Sequence, residues 1–427
     1  MKERPLVAKL VSDIRLPRMF KVRQKFSREH INKEEIPDII FKLLSEEKFA
    51  SRIKPGMSIA ITAGSRGIAN VALITKSIAD FVKSRGASPF VVPAMGSHGG
   101  ATAEGQREIL TGYGITEEYI GCPIVSSMEV VKIGVNDEGG DVFIDKHAAE
   151  AGGIIVSCRI KPHTSFRGPY ESGIMKMMAI GLGKQHGAEV CHSQGYRNMA
   201  KNIPFFGRCI LKNAPVLFAV PVIENAFDET HGIYAVAAED VETEEPKLLK
   251  EAFSLMPRIL VDSCDVLVVD QIGKNFSGTG MDPNVTGTFI SPYVTGGIKS
   301  QRVVVLDLSE ESHGNAIGIG CATVTTKRLS AKIDYSKMYP NVITSTTIEE
   351  ARVPMTMESD EDAIRLAVKT CSEIDKANPR IVRIPNSLHI EHIMLSEAYL
   401  EEARANDRLE IESAPEYMKF NEEGDLF

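Results

Sequence analysis

The chain is 427 residues long, 43% hydrophobic and 25% charged, which exceeds what one ordinary core fills and points to two domains. Its formal net charge of −8 argues against a nucleic-acid partner, which needs a basic surface, but not against an anionic substrate held by one local arginine or lysine. No stretch reaches the roughly 18 uncharged apolar residues of a membrane-spanning helix, so a membrane role is not expected.

In chain order, the apolar run Met57–Thr62 reads as a strand ending at Gly64-Ser65-Arg66-Gly67, followed by a helix over about 68–83. Pro89–Pro93 reads as a buried strand ending at Gly96-Ser97-His98-Gly99-Gly100, and Thr102 as the N-cap of a helix to about Leu110. Further strands are expected at Gly153–Cys158, Val216–Val222, Asp265–Asp270 and Arg302–Leu308. This alternation predicts an α/β protein of two domains, with mostly parallel sheets flanked by helices and the active site in the interdomain cleft. The expected divisions are an N-terminal domain over 1–257, a second α/β domain over 258–395, and a C-terminal helix with an acidic tail over 396–427 that frays at Asn421–Gly424. Arg66, His98 and His163 each follow a predicted strand, and ligands of open parallel sheets bind outside the carboxyl ends of the strands.

Seven cysteines, at 122, 158, 191, 209, 264, 321 and 371, are dispersed and form no C-x-x-C pair. They read as reduced thiols and, with an N-terminus that lacks the apolar core of a secretory signal, predict a cytoplasmic protein. Gly181-Leu182-Gly183-Lys184-Gln185-His186-Gly187 has G-x-G-x-x-x-G spacing and no β-branched strand before it, so a dinucleotide fingerprint is disfavoured. Ser277-Gly278-Thr279-Gly280 follows a strand without a Walker ending; a tight turn and a phosphate cradle weigh equally there.

The most informative segment runs from Lys161-Pro162-His163-Thr164-Ser165-Phe166-Arg167-Gly168 through Gly173-Ile174-Met175-Lys176 to Cys191-His192. It gathers His163, Lys176, Lys184, His186 and His192 in a chain with only 10 histidines. A histidine by itself is more often a surface or packing residue, but clustering beside glycine loops at a strand end brings function level with that reading. The segment resembles the nickel-dependent lactate racemase family, in which a loop histidine and a glycine turn precede the lysine that carries a nickel-pincer nucleotide, and a histidine 16 residues later ligates the nickel. The resemblance implies Lys176 as the attachment point and His192 as the nickel ligand. It also implies His98 and His163 as the two acid/base histidines and Arg66 as the carboxylate clamp, with Arg167 as a second clamp. Ser65 and Lys274 would help hold the cofactor, Lys274 toward its phosphate, with Lys299 the weaker candidate for that role. Ala63 and Gly67 stand where lactate racemase carries an acidic residue and a proline, which points to another, larger or more hydroxylated acid.

The chemistry suits these residue types. Removing hydride from Cα of a 2-hydroxy acid avoids a carbanion beside a carboxylate, and each enantiomer needs its own base for the hydroxyl proton. Histidine can take and give that proton near neutral pH, arginine grips a carboxylate with two parallel bonds, and imidazole suits nickel. The expected function is a racemase or epimerase of 2-hydroxy acids, dependent on cofactor-maturation enzymes and free to form a homo-oligomer. A nicotinamide-dependent oxidoreductase and a non-catalytic nucleotide- or metal-binding protein are the alternatives.

Overall fold

The first strand, β1 (Arg18–Gln24), finds its partners at the far end of the chain. A computed structural model, which describes residues 5–193 and 195–427, divides into two units: Ser27–Met256, and the residues through Phe26 together with Pro257–Phe427. The expected start of the first domain at residue 1 is therefore displaced. Met19, Phe20 and Val22 of β1 are buried, and its hydrogen-bonded neighbours are strands of the second unit.

The Ser27–Met256 unit contains β2 (Ser58–Ala63), β3 (Ser88–Pro93), the hairpin β4 (Val130–Val135) and β5 (Asp141–Asp145), β6 (Gly153–Arg159), β7 (Val216–Glu224), β8 (Thr230–Ile233) and β9 (Val236–Ala237). The main sheet has the order β3-β2-β6-β7-β8, parallel across its first four strands and antiparallel where β8 and β9 join β7. Its strands are buried on both faces, as parallel strands under helices must be. Ile59, Ile61 and Ile155 feed a core with Ile74, Ile78 and Val82 of the helix Val71–Ser84. Ala60, Ile154 and Val156 face the opposite core, which contains Met175, Met178 and Leu182. That second layer carries the Lys176 segment. Thr102 caps its helix, accepting from the Gly105 amide at 3.0 Å.

The other unit adds β10 (Ser263–Ile272), β11 (Lys299–Leu308), β12 (Val324–Thr326), β13 (Met355–Met357), β14 (Ile381–Ile384), β15 (His392–Ser396), β16 (Leu409–Ile411) and β17 (Glu416–Tyr417). They form one sheet in the order β13-β12-β11-β10-β14-β15-β1-β16, with β17 also on β1; β10 to β14 are parallel and β14-β15-β1 antiparallel. The tail differs from its expected frayed form. Two of its segments pair with β1, and the Asn421 side chain closes a turn by accepting from the amides of Glu423 and Asp425. Among the described residues no helix is long and apolar enough to cross a membrane.

Candidate active site

The loops carrying His98, Arg66 and His163 leave the carboxyl ends of β3, β2 and β6, three neighbouring strands of one sheet. The Ser65 hydroxyl and His98 Nδ1 share a short hydrogen bond, and the Tyr113 hydroxyl donates to the Ser65 carbonyl at 2.9 Å. Ser65, expected to help hold a cofactor, is placed to orient His98. Gln106 steadies the same loop, its Nε2 donating to the carbonyls of Gly96 at 2.9 Å and His98 at 3.2 Å. Gly96 takes φ +57, which favours glycine.

His163 is half-buried, with its ring tilted against Phe166 at a centroid distance of 4.2 Å. Its Nδ1 accepts from the Ser165 amide at 3.0 Å, so the neutral ring carries its proton on Nε2. Desolvation, then the charges of Lys176 and Lys161, hold its pKa well below the usual histidine range. The buried Glu171 fixes this loop, accepting from the His163 amide at 2.7 Å. Arg167, expected to grip substrate, donates to the His163 carbonyl at 2.6 Å and pairs with Glu171 at 3.3 Å. Those contacts make it a brace of the His163 loop.

Lys176 ends the short helix Ile174–Lys176, which runs into a π-helical stretch, Met177–Leu182, and then into the helix Lys184–His192. Burial lowers the Lys176 pKa to about 7, with Arg66 and Lys161 adding to the effect. Cys191 and His192, 15 and 16 residues further on, both feel the Lys176 charge. The His192 pKa is lowered by desolvation first and by Lys176 second. His192 Nδ1 lies 2.8 Å from the Ala188 carbonyl. A carbonyl only accepts, so Nδ1 carries the proton and Nε2 the lone pair, which is the tautomer of a metal-ligating histidine. Arg66, His163, Lys176 and His192 thus form one electrostatic neighbourhood.

Three supports were assigned no role on the sequence alone. Glu245, 70 residues from its partner, accepts from the Met175 amide at 2.9 Å, and burial raises its pKa to about 8. A Cβ on Gly173 would lie 2.2 Å from Glu245 Oε1, which explains the glycine in the Gly173–Lys176 turn. Gly173→Ala should therefore cost about 1–3 kcal/mol by forcing this packing apart. Urea denaturation should show that cost shrinking in an Glu245→Ala background; an undiminished cost would remove the clash as its cause. Lys184 and Asp145, each 0% exposed, pair at 3.2 Å. Lys161 adds a positive charge to the group.

The glycines of 181–187 serve packing. A Cβ at Gly181 would meet the Ala94 carbonyl oxygen at 2.7 Å, and one at Gly187 the Phe143 carbonyl oxygen at 3.0 Å. Lys274 lies in the second unit, where its ammonium donates to the Gly278 carbonyl at 3.0 Å and faces Glu350. Among the described residues no three His, Cys, Asp or Glu side chains gather as a metal cage.

The family model described as the lactate racemase N-terminal domain matches residues 11–202. No curated protein matches the chain. Among solved structures, the lactate racemase apoprotein from Thermoanaerobacterium thermosaccharolyticum aligns with 16% identity and a TM-score of 0.45, over 67% of this chain and 68% of that one. The matched stretch, residues 11–202, holds Arg66, His98, His163, Lys176 and His192, and over it the chain is similar to the lactate racemase N-terminal domain.

Proposed function

We propose that this protein is a racemase or epimerase that inverts the α-carbon of a 2-hydroxy acid with the help of a nickel-pincer nucleotide attached to Lys176. The observation that carries this reading is the grouping of an amine of lowered pKa, Lys176, with His163, His192 and Arg66 inside the stretch that matches the lactate racemase N-terminal domain. The donor set fits such a group. With a pKa of about 7, much of Lys176 is a neutral, nucleophilic amine at neutral pH, as an acyl linkage requires. His192, with its proton on Nδ1, would offer one imidazole lone pair to a metal carried by the nucleotide. When bound, the nucleotide supplies the hydride acceptor and donor that no side chain provides.

Arg66 holds the substrate carboxylate and fixes the pivot about which Cα is presented. His98 takes the hydroxyl proton of one enantiomer, with its ring oriented by Ser65, whose hydroxyl can donate or accept. His163 stands ready as a hydrogen-bond donor through Nε2, and becomes a base for the other enantiomer once Nδ1 turns from the Ser165 amide. The cationic surroundings of Arg66 and Lys161 favour an anionic substrate over its neutral analogues.

The test is inversion of 2-hydroxy acids in heavy water by protein matured together with the cofactor-assembly enzymes. Racemisation without deuterium uptake at Cα is expected, and His98→Ala or His163→Ala should each reduce it by about 10²–10⁴-fold while circular dichroism stays unchanged. Wholesale deuterium uptake would exclude hydride return, and turnover that requires added NAD would favour a nicotinamide oxidoreductase.

A further inference from the structure

Sixteen residues of unbroken α-helix would separate Lys176 from His192 by about 24 Å. Yet Asn202 donates to the Cys191 carbonyl at 3.0 Å while Gly207, little more than a turn further along the same helix Met199–Asn213, lies against Met175, so the chain turns back between 176 and 192. The turn falls at Gly183–Lys184, where the π-helical stretch ends and Lys184 adopts φ +53. A left-handed backbone is normally left to glycine. Here it carries a long side chain that is completely buried, with Nζ donating to the Pro93 carbonyl, lying 3.3 Å from Gln106 Oε1 and pairing with Asp145 Oδ2 at 3.2 Å. Pro93 ends β3 just before the His98 loop, and Gln106 holds the carbonyls of Gly96 and His98. One ammonium therefore ties the turn to the His98 loop and to the end of β5.

We propose that Lys184 is a positioning residue that folds the 176–192 segment back on itself, so that position 192 meets position 176 and both stay in register with the His98 loop. A lysine serves only if its buried side chain is needed, because glycine would supply the backbone shape more easily. The inference rests on reading Lys176 and His192 as one site, and the experiment separates the two.

The full-length, cofactor-free protein carrying Lys176→Cys, His192→Cys and Cys191→Ala is treated with dibromobimane, which fluoresces strongly only after both arms alkylate thiols. Among the native cysteines other than Cys191, all are buried except the half-buried Cys321, and each single-cysteine variant serves as a control. Bridging of positions 176 and 192, located by peptide mass, is expected in this parent. It should be lost when Lys184→Met is added, while the far-ultraviolet circular dichroism and the cooperative melt persist. If Lys184→Met does not fold, Lys184→Gly, which frees the backbone of strain, should fold and still lose the bridge; Gln106→Leu should slow it. Bridging at the parental rate in any folded chain without the Lys184 side chain overturns the proposal. A parent that never bridges overturns the shared site itself.

Discussion

Lys176→Met should yield a protein that neither gains the cofactor mass nor racemises its substrate, and that is nonetheless more stable than the parent. The loss of function follows from removing the only atom placed to carry the linkage under the proposed function. The gain in stability follows from electrostatics. Burial and the nearby Arg66 lower the Lys176 pKa from 10.5 to about 7, so the folded state resists the ammonium that the unfolded chain holds readily. Between those two values the unfolded state binds more protons, and stability of the parent rises with pH. Methionine has no such penalty. The stability gap between variant and parent should be widest below about pH 7 and close toward about pH 10.5. Urea denaturation across that range measures it, and a gap that is flat with pH would mean that Lys176 is not held in its neutral form. The parent's reactivity toward an amine-acylating reagent at Lys176, followed by peptide mass, should rise with a midpoint near pH 7.

Asp145→Ala should be among the most damaging substitutions outside the site. Asp145 Oδ1 accepts from the Ala148 amide at 2.9 Å, and Oδ2 pairs with Lys184 at 3.2 Å, with both side chains 0% exposed. Removing it costs about 1 kcal/mol for the lost helix cap and about 3–5 kcal/mol for a buried charge left without its counter-ion. Lys184 is already held below the ordinary lysine pKa by desolvation, which Asp145 opposes. Without Asp145 the amine should deprotonate more easily, so the variant should recover part of its stability at alkaline pH. A loss below about 1 kcal/mol in urea denaturation would mean that the pair contributes little beyond the cap. Asp145→Asn keeps the cap acceptor and should fall between the two.

Much of the site's framework was legible in local sequence. Ser58–Ala63, Ser88–Pro93 and Gly153–Arg159 are apolar runs that end in glycine or polar loops, and buried parallel strands are written that way. Residues at their ends were therefore expected to meet, and the sheet order β3-β2-β6 makes those strands neighbours. Arg167 shows where such reasoning stops. Its type and position suggested a ligand clamp, whereas its partner Glu171 draws the guanidinium into the loop. Ser65 likewise was grouped with the cofactor, although its hydroxyl meets a histidine 33 positions away.

What the sequence determined by itself was the alternation of strand, loop and helix, the placing of Arg66, His98 and His163 at strand ends, and the 16-residue interval from Lys176 to His192. Tertiary structure decided which side chains support them. Glu245 meets Met175 across 70 positions, Lys184 meets Asp145 across a hairpin end, and β1 joins strands from the last part of the chain. Hydrophobic periodicity reports which face of an element is buried, but it does not name the partner. A buried carboxylate or ammonium acquires its role only when folding removes water and leaves one particular atom within reach.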